Sequence, residues 1–127
     1  AVYNSTIRLQ GGNTISDNGR GIQLFDSTLH QYDDVAVDTI GPNTHQEIDA
    51  RKSFVELNEA NILGTAGDSE LRLQQMSYLT LGQNANLQGN IDRDSTSIQV
   101  TEDGEILGAL QRGQQPRDGP GFGASIP

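Results

Sequence analysis

The sequence predicts an all-β solenoid, a stack of short coils that each contribute one strand to several parallel sheets. Three observations carry this. First, Phe54-Val55-Glu56-Leu57, then Asn61-Ile62-Leu63-Gly64, recurs one unit later as Tyr78-Leu79-Thr80-Leu81, then Asn86-Leu87-Gln88-Gly89. A self-similar unit of about 20–50 residues is the mark of a repeat architecture. Second, the apolar residues fall in short alternating pairs, such as Ile22-Gln23-Leu24, Leu71-Arg72-Leu73 and Ile98-Gln99-Val100. Alternation over so few residues reads as strands with one buried face. Third, only 33% of the 127 residues are hydrophobic, which suits a narrow core shared between coils.

The repeat extends in both directions as three rows of strands. The first row runs through Ile7, Leu29, Val55, Leu79 and Ile106. The second runs through Ile15, Val37, Ile62 and Leu87, and the third through Ile22, Ile48, Leu71 and Ile98. This gives about four to five coils of 22–27 residues, with boundaries at 6–27, 28–53, 54–77 and 78–104. A coil cannot bury its own apolar face, so stability comes from stacking, one strand spacing of ~4.8 Å per coil. Asn18-Gly19 suits left-handed backbone between strands. Asn61 and Asn86 fall at equivalent corners, where identical amides can stack. The second coil fits least well: Leu29-His30-Gln31 lacks a second apolar partner, and Ile40-Gly41-Pro42-Asn43-Thr44-His45 reads as a loop budding from the solenoid.

The unit Thr14-Ile15-Ser16-Asp17-Asn18-Gly19-Arg20-Gly21-Ile22-Gln23-Leu24 resembles the turn and strand of the right-handed parallel β-helix proteins, the pectate-lyase-like superfamily. The resemblance covers about residues 5–110. It implies a right-handed, single-stranded parallel β-helix over residues 1–110, followed by a Gly/Pro-rich tail at 111–127. That superfamily holds lyases, hydrolases, phage tailspikes, adhesins and non-catalytic modules, so the likeness fixes no activity.

Composition narrows the function. With 17 acidic against 8 basic residues the net charge is −9, and the basic footprint that nucleic acid requires is missing. No apolar run reaches the roughly 18 residues of a membrane span. The absence of cysteine excludes a disulfide framework and thiolate metal sites, and no cofactor motif is present. The chain opens on Ala1, as a signal-peptidase product or an excised domain would.

Candidate site residues are few. Phe54 and Tyr78 precede equivalent strands and should stack along the axis, for stability or as a strip for sugar faces. Asp33, Asp34 and Asp38, with His30 and His45, supply carboxylates and imidazoles of the kind that cleave glycosides or bind calcium. Asp33 and Asp34 are sequence neighbours in a polar segment, which favours a solvated turn. Asp49 and Arg72, and likewise His30 and Glu56, should meet on the outer face of adjacent coils as cross-strand pairs.

The tail, with four glycines and three prolines in 17 residues, has little to bury beyond Phe122 and Ile126, which should pack on the β-helix or on a neighbour. Only residues 1–5 precede the first coil, with no helix to cover its open edge. The expected partners are therefore copies of the chain or the rest of a longer β-helix. The sequence reads as a non-catalytic structural or adhesive module of an extracellular, cell-surface or virion protein. The alternative is a module that binds or cleaves polysaccharide.

Overall fold

The computed structural model describes residues 1–32, 35–64, 70–82 and 84–100, and the backbone of 106–108. These residues form a parallel β-solenoid of about four turns, and no helix occurs among them. The tail residues Phe122 and Ile126 lie outside the described residues.

Three sheets make the faces of the solenoid. The first contains β1 (Val2–Tyr3), β4 (Arg20–Phe25), β7 (Gln46–Arg51), β10 (Leu71–Gln74) and β13 (Ile91–Arg93). The second contains β2 (Thr6–Leu9), β5 (Thr28–Gln31), β8 (Phe54–Leu57), β11 (Tyr78–Leu81), β14 (Ile98–Val100) and β15 (Ile106–Gly108). The third contains β3 (Thr14–Ile15), β6 (Asp38–Ile40), β9 (Ala60–Ile62) and β12 (Asn86–Leu87). Every pairing is parallel except that of β15, which runs antiparallel to β14.

The sheets agree with the sequence in their middle coils. Ile7, Leu29, Val55 and Leu79 are in register, as are Ile22, Ile48 and Leu71, and strands of the second sheet begin at the expected boundaries 28, 54 and 78. Inward side chains alternate with outward ones, and Leu24, Leu29, Ile48, Val55, Leu57, Ile62, Leu71, Leu73 and Leu79 form a fully buried column.

Three assignments change. Ile40, not Val37, pairs with Ile15 and Ile62; Val37 is 44% exposed. Ile91, not Ile98, continues the third row beyond Leu71, while Ile98–Val100 follows Tyr78–Leu81 in the second sheet. Ile106 shares that sheet but on the antiparallel strand, paired with Val100. The last coil is shorter than the others, so a search at 22–27 residues oversteps it. Left-handed backbone falls on Asp17 (φ 63°) and not on Asn18-Gly19. Asn61 and Asn86 are in register with their side chains on the outward, solvent-reached side of the third sheet.

Among the described residues, the last level of the core carries a polar pair. Arg93 continues the inward row of Leu24, Ala50 and Leu73, and Gln99 that of Val55 and Leu79. Arg93 Nη1 donates to Gln99 Oε1 at 3.1 Å across the end of the column. Gln99, which alternation between Ile98 and Val100 would put on the outer face, is instead turned inward and only 6% exposed. Burial lowers the pKa of Arg93. Among the described residues the hydrophobic column ends in this pair, and β15 pairs along the edge of β14.

Candidate functional site

The corner between the first and second sheets is built the same way on the first four coils. A residue with left-handed backbone, Asn4, Asp26, Lys52 or Met76, turns the chain, and a serine follows it: Ser5, Ser27, Ser53 or Ser77. Each serine N–H donates to the hydroxyl of the serine one coil later, from Ser5 to Ser27, Ser27 to Ser53, Ser53 to Ser77 and Ser77 to Ser97, at 3.0–3.1 Å. The hydroxyls of Ser27, Ser53 and Ser77 donate in turn to nearby carbonyls at 2.7–2.8 Å. This rail satisfies donors that the corner would otherwise bury unpaired.

Aromatic residues flank the rail. On the first-sheet side the Tyr3 and Phe25 rings stack at 4.7 Å, with the Arg51 guanidinium 5.6 Å from the Phe25 centroid. On the second-sheet side Phe54 and Tyr78 stack at 5.2 Å with their planes 29° apart, as their register predicts. Between the vertex residues Asp26, Lys52 and Met76 and the column of Thr28, Phe54 and Tyr78 lies an open cleft of about 360 Å³, with Ser27 and Ser53 at its floor. Phe54 is 36% and Met76 76% exposed.

The carboxylates sit elsewhere. Asp38 is buried on β6. Its Oδ1 accepts from the Asn13 N–H at 2.9 Å and from Asn13 Nδ2 at 2.7 Å, and its Oδ2 from Gln31 Nε2 at 3.0 Å. Gln31 fills the inward place that lacked an apolar residue. Its Nε2 also donates to the Glu59 carbonyl at 3.1 Å, and its Oε1 accepts from the Asn58 and Glu59 N–H groups. One amide and one carboxylate thus close three coils around a polar hole. The structure does not bring Asp38 together with Phe54 and Tyr78. Asp33 and Asp34 lie outside the described residues.

Both expected cross-strand pairs form. Arg72 grips Asp49 with Nε at 3.1 Å and Nη2 at 2.9 Å, while Arg20 and Arg51 approach the same carboxylate at 3.6 and 3.8 Å. Asp49 alternates with the inward Ile48 and Ala50 and so faces outward, yet the arginines cover it. His30 Nδ1 lies 2.6 Å from Glu56 Oε1, with Tyr32 against the imidazole edge.

At the corner between the third and first sheets Glu47 is buried, accepting from the Asn43 N–H at 3.3 Å and from Asn43 Nδ2. Burial raises its pKa, Asn43 pulls the other way, and the Glu70 carboxylate raises it further. For Asp49, burial pushes up, but the hydrogen bonds and charge of Arg72, with Arg51 and Gln23, outweigh it and hold the group below its ordinary 3.8. Asp94 is lowered likewise: burial acts upward and is outweighed by the Gln75 N–H and the Thr96 and Ser97 groups.

These shifts act on stability in opposite directions. Glu47 binds its proton more tightly when folded, so its contribution improves as pH falls from neutrality to its ordinary 4.5. Asp49 and Asp94 hold theirs less tightly, so their contribution is full above 3.8 and is lost as pH falls through their folded values. Urea unfolding as a function of pH should therefore peak between about pH 4 and 5. The Asp49→Asn variant should lose less stability than the wild type on going below that peak.

No protein-family model matches the chain, and neither the curated proteins nor the solved structures contain a significant match to it.

Proposed function

We propose that this chain is a non-catalytic structural and adhesive module, a right-handed β-helix of the pectate-lyase-like type, working outside the cell, on a cell surface or in a virion. What supports this reading is the placement of the polar side chains able to do chemistry. Asp38, Gln31, Asp49 and the serines spend their hydrogen bonds tying one coil to the next. A catalytic carboxylate needs a path to substrate, whereas Asp38 is fully buried and three of its roughly four acceptor sites are taken by neighbouring residues. The module associates with copies of itself or continues a longer β-helix.

Two measurements test the reading. Incubation with a panel of neutral and acidic polysaccharides should release no reducing ends and no unsaturated product. Turnover that disappears in Asp38→Ala, with the fold intact, would replace this reading by that of a polysaccharide-cleaving module. Light scattering across a hundredfold range of concentration should show reversible association, and a chain that stays monomeric throughout removes the self-assembly part of the proposal.

A further inference from the structure

Among the described residues, three of the four exposed large apolar side chains, Tyr3, Phe54 and Met76, lie along the same serine-lined corner. Scattered apolar residues need no explanation, but a cluster beside a cleft does. Aromatic residues and methionine are enriched in protein–protein contacts, and methionine adapts to the shape it meets.

The cleft has a direction. Tyr78 covers one face of the Phe54 ring, and on the other side, one coil earlier, the register places Thr28. The column of rings is therefore short by one at Thr28, where a further ring would continue the stack at the ~4.5–7 Å that aromatic pairs favour. The floor selects what enters. Ser27 and Ser53 each accept one hydrogen bond and donate another within the rail. An apolar ring needs no hydrogen bonds from that floor, whereas a pyranose must pair its hydroxyls. Lys52 stands on the rim between Asp26 and Met76, a cation on an acidic chain, and calls for a carboxylate beside the ring. Spanning three coils, the cleft is ~10 Å long, the length of about three extended residues.

We propose that this corner cleft docks an aromatic side chain of a protein partner, carried on an extended segment with an acidic residue next to it. This rests on the adhesive reading and names the kind of partner it serves.

A random heptapeptide library displayed on phage, panned on the full chain, tests it. Selected sequences should pair Phe, Tyr or Trp with a neighbouring Asp or Glu. Synthetic copies should bind Phe54→Ser and Met76→Lys at least tenfold more weakly than the wild type, with amide shifts centred on Thr28, Phe54 and Tyr78. Both substitutions are at solvent-reached positions, and circular dichroism with a melting curve verifies the fold. Selection of no aromatic consensus, or of one that binds the variants equally well, overturns the proposal. So does displacement of the peptides by soluble oligosaccharides whose own binding needs Phe54, which assigns the cleft to glycan. A wild-type chain that binds none of the selected peptides, while self-association survives in both variants, removes this site and leaves the adhesive module standing. Weakened self-association without peptide binding identifies the cleft as a contact between copies and likewise overturns it.

Discussion

Replacing Leu79 by alanine is expected to cost about 2–5 kcal/mol of unfolding free energy, out of the ~5–15 kcal/mol that a single domain commands. Leu79 is fully buried and lies in register with Val55 of the preceding coil and Gln99 of the next. In a solenoid an inward side chain is walled only by the other sheets of its own coil and by the two adjoining coils, and backbone ladders on both sides of β11 oppose collapse around the hole. Urea denaturation should show a lower midpoint with little change in slope. Leu81→Ala, at the half-buried end of the same strand, serves as the comparison and should cost clearly less. Equal losses at the two sites would mean that Leu79 does not face the core.

The second large effect is expected at Asp38. In Asp38→Ala the Asn13 N–H and side-chain amide lose their shared acceptor, and Gln31 Nε2 keeps only the Glu59 carbonyl. Asn13 is exposed and can turn to water, but the buried Gln31 Nε2 loses one of its two acceptors beside the space left by the carboxylate, so the loss should be about 1–3 kcal/mol. Asp38→Asn keeps one acceptor and should recover part of it. Hydrogen exchange locates the damage: the amides of Asn13, Thr39 and Asn58 should lose protection before those of Val55 or Leu79. A loss below 0.5 kcal/mol, the size of an ordinary surface substitution, would show that Asp38 does not organise the second coil.

The repeat was legible where inward positions are apolar. Leu29, Val55 and Leu79, or Ile48 and Leu71, betray their row by hydropathy alone, and Asp49–Arg72 and Phe54–Tyr78 follow from the row as neighbours. Reading failed where a polar residue faces inward. Gln31 and Asp38 look like solvated loop residues until their hydrogen bonds are seen, so the second coil seemed to lack a partner and its third-sheet strand was sought at Val37. Gln99 and Arg93 misled in the same way at the last coil, whose shortness moved Ile98 to the wrong sheet. The serine rail left a signal that went unused. A serine stands directly before each of the parallel strands of the second sheet, at separations of 22, 26, 24 and 20. Serine is so common in turns that only its recurrence at the strand start distinguishes it. Of the cleft, the ring pair was readable; its floor and rim depend on the left-handed vertices Asp26, Lys52 and Met76, which no shared residue type announces.

The polar pair Arg93–Gln99 also governs how such a chain can change in copy number. Each coil receives a serine N–H from the coil before it and offers its own N–H to the next, so any internal unit that keeps this polarity is interchangeable with its neighbours. A tandem duplication of residues 54–77 would meet Ser77 below, Tyr78 above and leucine or valine inside, and would lengthen the rod by one step. A duplication carrying Arg93 and Gln99 would bury a guanidinium between two apolar levels, where one hydrogen bond to the neutral Gln99 falls short of its desolvation cost. Growth of this rod by repeat gain is thus open through its middle and closed at the level of Arg93.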